Sequence, residues 1–183
     1  MTTMKRKTHS AVGMRHLLRP QRDVHWVRRL FEKGVAGFFA AVLTPAGWRI
    51  DIGRRLEWQN VNLSPGIGRL LPGMRTDIML DHLGLGRRII IDTKFTAAIL
   101  SGQYGQDTLR SERLYQIYAY LRSREADGDP LSDQASGLLL YPSMGHDMDE
   151  TVRIQGHQIR FATVDLAASS RDIRQRLLHV VDM

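Results

Sequence analysis

Residues 74–95 read MRTDIMLDHLGLGRRIIIDTKF, and the fold turns on how this stretch is read. Two runs rich in aliphatic residues, 74–82 and 87–95, flank the glycine-containing LGLG of 83–86, which predicts a β-hairpin. Positions 77 and 92 are equidistant from the centre of that loop. Asp77 and Asp92 are therefore expected opposite one another on neighbouring strands, with their side chains on one face. Alternation along a strand puts Lys94 on the face of Asp92. It leaves Ile89, Ile91, Thr93 and Phe95 on the other face, free to enter a core. Ionised groups at the end of a buried strand are costly to desolvate unless they are paired or have a task there.

Two carboxylates held close together repel, and a cation or a shared proton must compensate. A hard divalent ion such as Mg²⁺ suits the role, because it takes oxygen ligands, keeps several waters and bridges to phosphate. A lysine beside it can position or help deprotonate an attacking water and offset charge building on a pentavalent phosphorus. The combination fits hydrolysis of a phosphodiester. On spacing alone, a structural Asp–Lys ion pair at a strand end is the readier explanation.

Outward from the hairpin, apolar residues at Val24, Val27, Leu30, Phe31, Val35, Phe38 and Val42 recur every three or four positions. They predict a helix from Asp23 that stops before Pro45. GWRIDI (47–52) and RRLEWQNVNL (54–63) read as strands, followed by the loop SPGIGRLLPG (64–73). Downstream, residues 101–108, rich in Gly, Ser, Gln and Asp, lead into a helix SERLYQIYAYLRSR (111–124) with Leu114, Ile117 and Leu121 on its buried side. ADGDPLSDQ (126–134) is a loop, and SGLLLYP (136–142) is a short apolar strand, central in the sheet and stopped by Pro142. TVRIQGHQIRFATVDL (151–166) predicts a hairpin turning near Gly156, and SSRDIRQRLLHVV (169–181) a closing helix with a serine cap. The order αββββαβββα describes an α/β (α+β) domain, helices packed on a central mixed sheet.

Composition bounds what such a domain does. The chain of 183 residues has room for one domain, read as a basic N-terminal segment at 1–22 followed by the folded part at 23–183. There is no cysteine, which excludes disulfides, thiolate metal sites and cysteine nucleophiles. No apolar run reaches membrane-span length and the start, MTTMKRKTHS, lacks the core of a signal peptide, so the expectation is a cytoplasmic protein with no membrane partner. The formal charge of +7, with arginines gathered in VRRL, GRRLEW and GRRIII, favours a polyanion such as DNA. The seven histidines show no metal-ligand spacing. Trp26, Trp48 and Trp58 are assigned to packing. GLGRR lies between two strands rather than opening a helix, so it is no dinucleotide loop.

Asp77 followed after fourteen residues by Asp92-Thr93-Lys94 resembles the PD-(D/E)XK nuclease signature. In one large branch of that superfamily a Q-x-x-x-Y pattern follows the catalytic lysine, matched here by Gln116 and Tyr120. Many members carry a further acid on the first helix, matched by Glu32. In succession LFEKGVAGFF, GWRI, RTDIML, IIIDTKF, RLYQIYAY and LLLYP resemble the nuclease domain of McrC-type subunits, which cleave DNA in restriction systems directed at 5-methylcytosine. The similarity runs from about Val24 to about Leu166.

The resemblance implies a restriction-endonuclease-like core. Asp77, Asp92 and Lys94 would form the catalytic trio, with Glu32 and Gln116 in support and Asp77, Asp92 and Glu32 at the metal. It also implies Mg²⁺ with Mn²⁺ as a substitute, a DNA substrate, and a McrB-like GTPase partner that reads the modified base. Cutting both strands of a duplex argues for a homodimer. Arg75 either contacts a phosphate or pairs with a neighbouring acid, and Tyr120 belongs with it as a weaker DNA contact.

Family members carry a substantial N-terminal portion that engages the GTPase, and here about 22 residues precede the first helix. The chain therefore reads as a fragment, a stand-alone nuclease or a subunit of a rearranged system. It has no G-x-x-x-x-G-K-[ST] loop with which to hydrolyse GTP itself. Two other readings stay open beside the nuclease. One is a non-catalytic DNA-binding or scaffold module that keeps the fold, and the other an α/β protein whose arginines are surface charge alone.

Overall fold

The computed structural model describes residues 19–96, 98–101, 107–125 and 129–183. Most of the basic segment 1–22 lies outside the described residues, as do 102–106 in the stretch before the third helix and 126–128 in the loop after it.

Helix α1 (Arg19–Leu43) starts four residues ahead of Asp23. It gives way to a 3₁₀ turn at Thr44–Ala46, where Pro45 cannot extend the α-helical ladder. Then come β1 (Arg49–Ile52), β2 (Arg55–Leu56), the single turn α2 (Ile67–Leu70), β3 (Met74–Arg75), β4 (Ile78–His82) and β5 (Arg87–Thr93). A small pair, β6 (Ile99–Ser101) and β7 (Asp107–Leu109), precedes α3 (Ser111–Arg122) and the short α4 (Pro130–Asp133). The chain continues through β8 (Ser136–Pro142), β9 (Asp149–Ile154), β10 (His157–Val164) and α5 (Ser170–Val180), whose N-cap is Ser169.

Six strands form one mixed sheet in the order β1-β4-β5-β8-β10-β9. The β1–β4–β5 and β10–β9 pairs are antiparallel, while β5, β8 and β10 run parallel. The apolar SGLLLYP run is central, as its composition predicts. Alternation divides the core in two: Ile89 and Ile91 face α1 and α5 with Phe31, Val35, Phe39 and Leu177, and Ile90 faces α3 with Ile117, Leu121 and Tyr141. Close approach of α3 to β8 depends on Gly137, where a Cβ would lie 2.8 Å from Ile117 Cγ1 and 3.2 Å from Leu121 Cδ1.

Three expectations need correction. RRLEWQNVNL is extended only at Arg55–Leu56, because Leu56 alone finds a core; Val61 is 86% exposed and Asn62 takes φ 57°. The run 74–82 is broken between Arg75 and Ile78, where Thr76 N–H leaves the main sheet to donate to Arg54 O at 3.0 Å. The apolar stripe of α1 is buried only from Phe31 onward. Val24 and Leu30 are exposed because nothing among the described residues packs against the helix's first turns. Of the tryptophans, Trp48 is buried, Trp26 is 62% exposed, and Trp58 sits at the surface with Nε1 donating to Pro72 O at 2.7 Å.

Candidate active site

The hairpin register is the one its turn requires: Ile78 faces Ile91 and Met79 faces Ile90, about a 3₁₀ turn at Leu83–Leu85 closed by Gly86 at φ 62°. Extending that ladder by one rung sets Asp77 beside Asp92. Asp77 itself stands one residue before β4, in the bend that leaves β3. Its backbone carbonyl accepts from Gly53 N–H at 2.9 Å, and its Oδ2 accepts from Thr93 N–H at 2.7 Å and Thr93 Oγ1–H at 2.8 Å. One carboxylate is thus fastened to the residue next to the other. Sequence reasoning gave Thr93 to the core face; the structure makes it the anchor of Asp77, and its place between Asp92 and Lys94 was the available signal.

Asp92 is 1% exposed and Lys94 3% exposed, with Lys94 Nζ 2.5 Å from Asp92 Oδ2. The strand end holding them is fixed by Lys94 N–H donating to Leu140 O at 2.9 Å. Both side chains are held in this buried ion pair, and no other donor among the described residues reaches Asp92 Oδ2. Burial pushes the Asp92 carboxyl up to about 6, and the charge of Asp77 pushes the same way; Lys94 and Arg113 oppose them.

Helix α1 contributes Glu32. Its carboxyl is raised by burial and then by Asp77, against Arg28, Arg75 and Lys94, so the acid faces the same group of charges. From α3, Gln116 Nε2 donates to Tyr120 Oη at 2.7 Å. Tyr120 is buried, its hydroxyl raised by desolvation and further by Asp92 and Asp77. Arg75 makes no ion pair among the described residues: its Nε donates to Gly53 O at 2.9 Å. Gly53 takes φ 65°, which favours glycine, and a Cβ there would stand 2.3 Å from Arg75 Nη2 and displace the arginine lying over it.

Glu32, Asp77, Asp92, Lys94 and Tyr120 are thus close enough to feel one another's charge at one end of the sheet, with Gln116 bonded to Tyr120 and Arg75 at the margin. Two carboxylates of like charge, one of them buried against a lysine, fit a hard divalent cation that keeps most of its waters. Among the described residues no three His, Cys, Asp or Glu side chains converge as a ready-made metal cage. Glu32 stands near the pair without completing such a cage.

No family model matches the chain. The chain is similar to a restriction enzyme. Over 127 residues, 69% of its length, it is 31% identical to the type IV methyl-directed restriction enzyme EcoKMcrBC of Escherichia coli (strain K12). It spans 35% of that protein. A relationship to restriction systems is thereby supported, and the mixed six-stranded sheet flanked by helices is compatible with a nuclease-like core. Among the described residues no helix is long and apolar enough to cross a membrane.

A second charged cluster, at the turn end of the same hairpin, escaped sequence reading. Arg88 binds Asp81 at two points, Nε to Oδ1 at 2.7 Å and Nη2 to Oδ2 at 2.9 Å, and Arg88 Nη1 donates to Asp129 Oδ2 at 2.6 Å and Ser132 Oγ at 2.8 Å. Asp81 and Arg88 face each other in the ladder, so the turn-centring argument that pairs 77 with 92 would have found them. Their hydrogen bonds are mutually satisfied, which fits a structural role.

Proposed function

We propose that this chain is the cleaving part of a modification-dependent restriction system, an Mg²⁺-dependent endonuclease with a PD-(D/E)XK core acting on DNA. One observation carries the reading. A buried carboxyl pushed up to about 6 by burial and by Asp77 stands at a strand end against the Lys94 ammonium, an arrangement that costs stability and makes sense at a working site.

Asp77 and Asp92 would hold Mg²⁺, or Mn²⁺ in its place, with Glu32 reaching it through water. Once bound, the ion supplies charge stabilisation at the phosphoryl oxygens and a more acidic water. Lys94 orients the attacking water and offsets charge on phosphorus. Thr93 keeps Asp77 aimed at the site. Gln116 and Tyr120 form a polar unit on α3 on the side of the carboxylate pair, and Arg75 is within the same charge group to meet the DNA backbone. In this reading the modified base is read by a McrB-like GTPase subunit, and two copies of the nuclease cut the two strands from a cytoplasmic location.

Supercoiled plasmid, methylated and unmethylated, is incubated with the purified chain in Mg²⁺ or EDTA, with and without a GTPase partner. Metal-dependent nicking that Lys94→Ala abolishes is the expected result. Intact plasmid under every condition, alongside salt-sensitive DNA binding, would instead establish the non-catalytic module.

A further inference from the structure

Helix α3 presents a buried stripe at Ile117, Tyr120 and Leu121. One turn toward its N-terminus Leu114 continues the apolar stripe, half-buried Arg113 flanks it, and Arg110 is the N-cap. Among the described residues neither arginine has a close partner. Arg113 has no ion pair among the described residues, and Arg110 reaches only Glu112, 3.8 Å away on a side chain 58% exposed. The Nε atoms of both are buried without a hydrogen-bond acceptor among the described residues. Arg124, whose Nε is likewise orphaned, differs because its Nη2 donates to Asp129 at 3.0 Å.

Half-buried guanidinium groups with no close acceptor among the described residues keep their outer N–H donors open to an acceptor that arrives with a ligand. The position narrows which ligand. Arg113, Gln116 and Tyr120 lie three, four and seven positions apart on one face of α3, so Arg113 extends the Gln116–Tyr120 unit. Its charge acts on Asp92 and on the buried Tyr141 hydroxyl, and that of Arg110 acts on Tyr141 as well. Both cations therefore stand on the α3 side of the carboxylate pair, across from Glu32 on α1. Arginine presents a planar fork that matches phosphate oxygens.

We propose that Arg113, assisted by Arg110, binds a DNA backbone phosphate beside the carboxylate pair and so fixes how the strand enters the site. The inference rests on the DNA-cleaving reading and deepens it by naming the residues that seat the substrate.

Binding of a fluorescein-labelled DNA duplex to the full chain in EDTA, followed by anisotropy across a salt series, tests it without any turnover. Arg113→Ala is expected to weaken binding about 10-fold and to flatten the slope of log K against log salt by about 0.9, the share of one phosphate contact. Arg113→Lys, which keeps the charge, retains the slope. Arg171→Ala, an exposed arginine on α5, leaves affinity and slope as they are and is the control. Circular dichroism melting establishes which variants are folded, and Arg110→Ala provides a second, smaller loss should Arg113→Ala not fold.

Unchanged affinity and slope in folded Arg113→Ala, while the wild type binds and nicks DNA, overturns this assignment and leaves the nuclease reading standing. So does loss of the slope in folded Arg113→Lys. A wild type that neither binds nor cuts DNA removes the underlying reading, and this inference with it.

Discussion

Asp92 and Lys94 are two residues apart on one strand end, with Nζ 2.5 Å from Oδ2 and both side chains almost wholly buried. The pair is asymmetric in its effect. Lys94 pulls the Asp92 carboxyl down, yet burial, aided by Asp77, still leaves it at about 6. Asp92 in the unfolded chain titrates near ~3.9. Between these values the folded state binds more protons than the unfolded state, so this group's contribution to stability falls as pH rises from about 4 to about 6.

Lys94→Met removes the largest charge opposing that shift. The Asp92 carboxyl is expected to titrate above 6, and the loss of stability with rising pH should extend to correspondingly higher pH. Carboxyl carbon chemical shifts followed through a pH series, with urea unfolding at each pH, check both. An unchanged Asp92 titration would contradict the pairing.

A divalent cation should act on the same equilibrium from the other side. Mg²⁺ at about ten times its dissociation constant is expected to stabilise the chain by about 1.4 kcal/mol at pH 7.5, and to lose that effect near pH 5 where Asp92 is protonated. Thermal melts with and without Mg²⁺ at the two pH values read it directly. An equal shift at both would place the ion elsewhere.

Thr93→Val tests the anchor of Asp77. The side chain keeps its shape and the backbone N–H still donates at 2.7 Å, but the 2.8 Å hydroxyl contact to Asp77 Oδ2 is lost. Removing a hydrogen bond to a charged acceptor is expected to cost about 1–2 kcal/mol of stability. Plasmid nicking should fall about 10-fold, since a loosely held carboxylate no longer points at the site. Denaturation and initial cleavage rates are the two measurements.

The hairpin was legible because two constraints fixed it together, a turn with too few residues to slip and a strand whose alternate positions had to be buried. That is why Ile78 faces Ile91 as the spacing requires, and why Asp92 and Lys94 fall at one end. What local pattern could not supply was tertiary. Nothing in RRLEWQNVNL says that residues after Leu56 meet no core, and nothing in α1 says that Val24 lies beyond anything to pack on. The break at Thr76 depends on Arg54 offering its carbonyl from twenty-two positions away. Gln116 and Tyr120 were found as a pattern, but their hydrogen bond to each other depends on how deeply α3 packs.

Asp149 makes the acid side of the stability profile. Arg160 donates to both of its oxygens at 2.6 and 2.8 Å and Arg176 adds a third bond at 2.6 Å, tying β9 to β10 and α5. The Arg160 hydrogen bonds first, then those of Arg176, hold the carboxyl well below the usual carboxylate range. A depressed folded value contributes stability that is complete above the unfolded pKa, near ~3.9, and disappears as pH falls through the folded value. Asp149→Asn should therefore lose about 2 kcal/mol at pH 7, after allowance for its partial exposure, and clearly less at about pH 2.5, where the unfolded chain is already protonated and the folded carboxylate still ionised. Urea midpoints of both proteins at the two pH values decide it.

Gly137→Ala connects the core to the site. The new Cβ would sit 2.8 Å from Ile117 Cγ1, an atom close to the helix backbone that cannot swing away, and 3.2 Å from Leu121 Cδ1, which can. Helix α3 must then lift from β8, at a cost of about 1–3 kcal/mol typical of overpacking. The same helix carries Gln116, Tyr120 and Arg113, so the displacement should reduce nicking by more than the loss of folded protein explains. Ile117→Ala removes the obstructing carbon and alone leaves a cavity worth about 2–5 kcal/mol. In the double variant the added methyl enters that cavity, so the two costs should fall short of their sum by at least about 1 kcal/mol, with part of the nicking restored. Strict additivity would mean that α3 does not bear on β8 through this contact, and that its side chains reach the carboxylate pair by some other support.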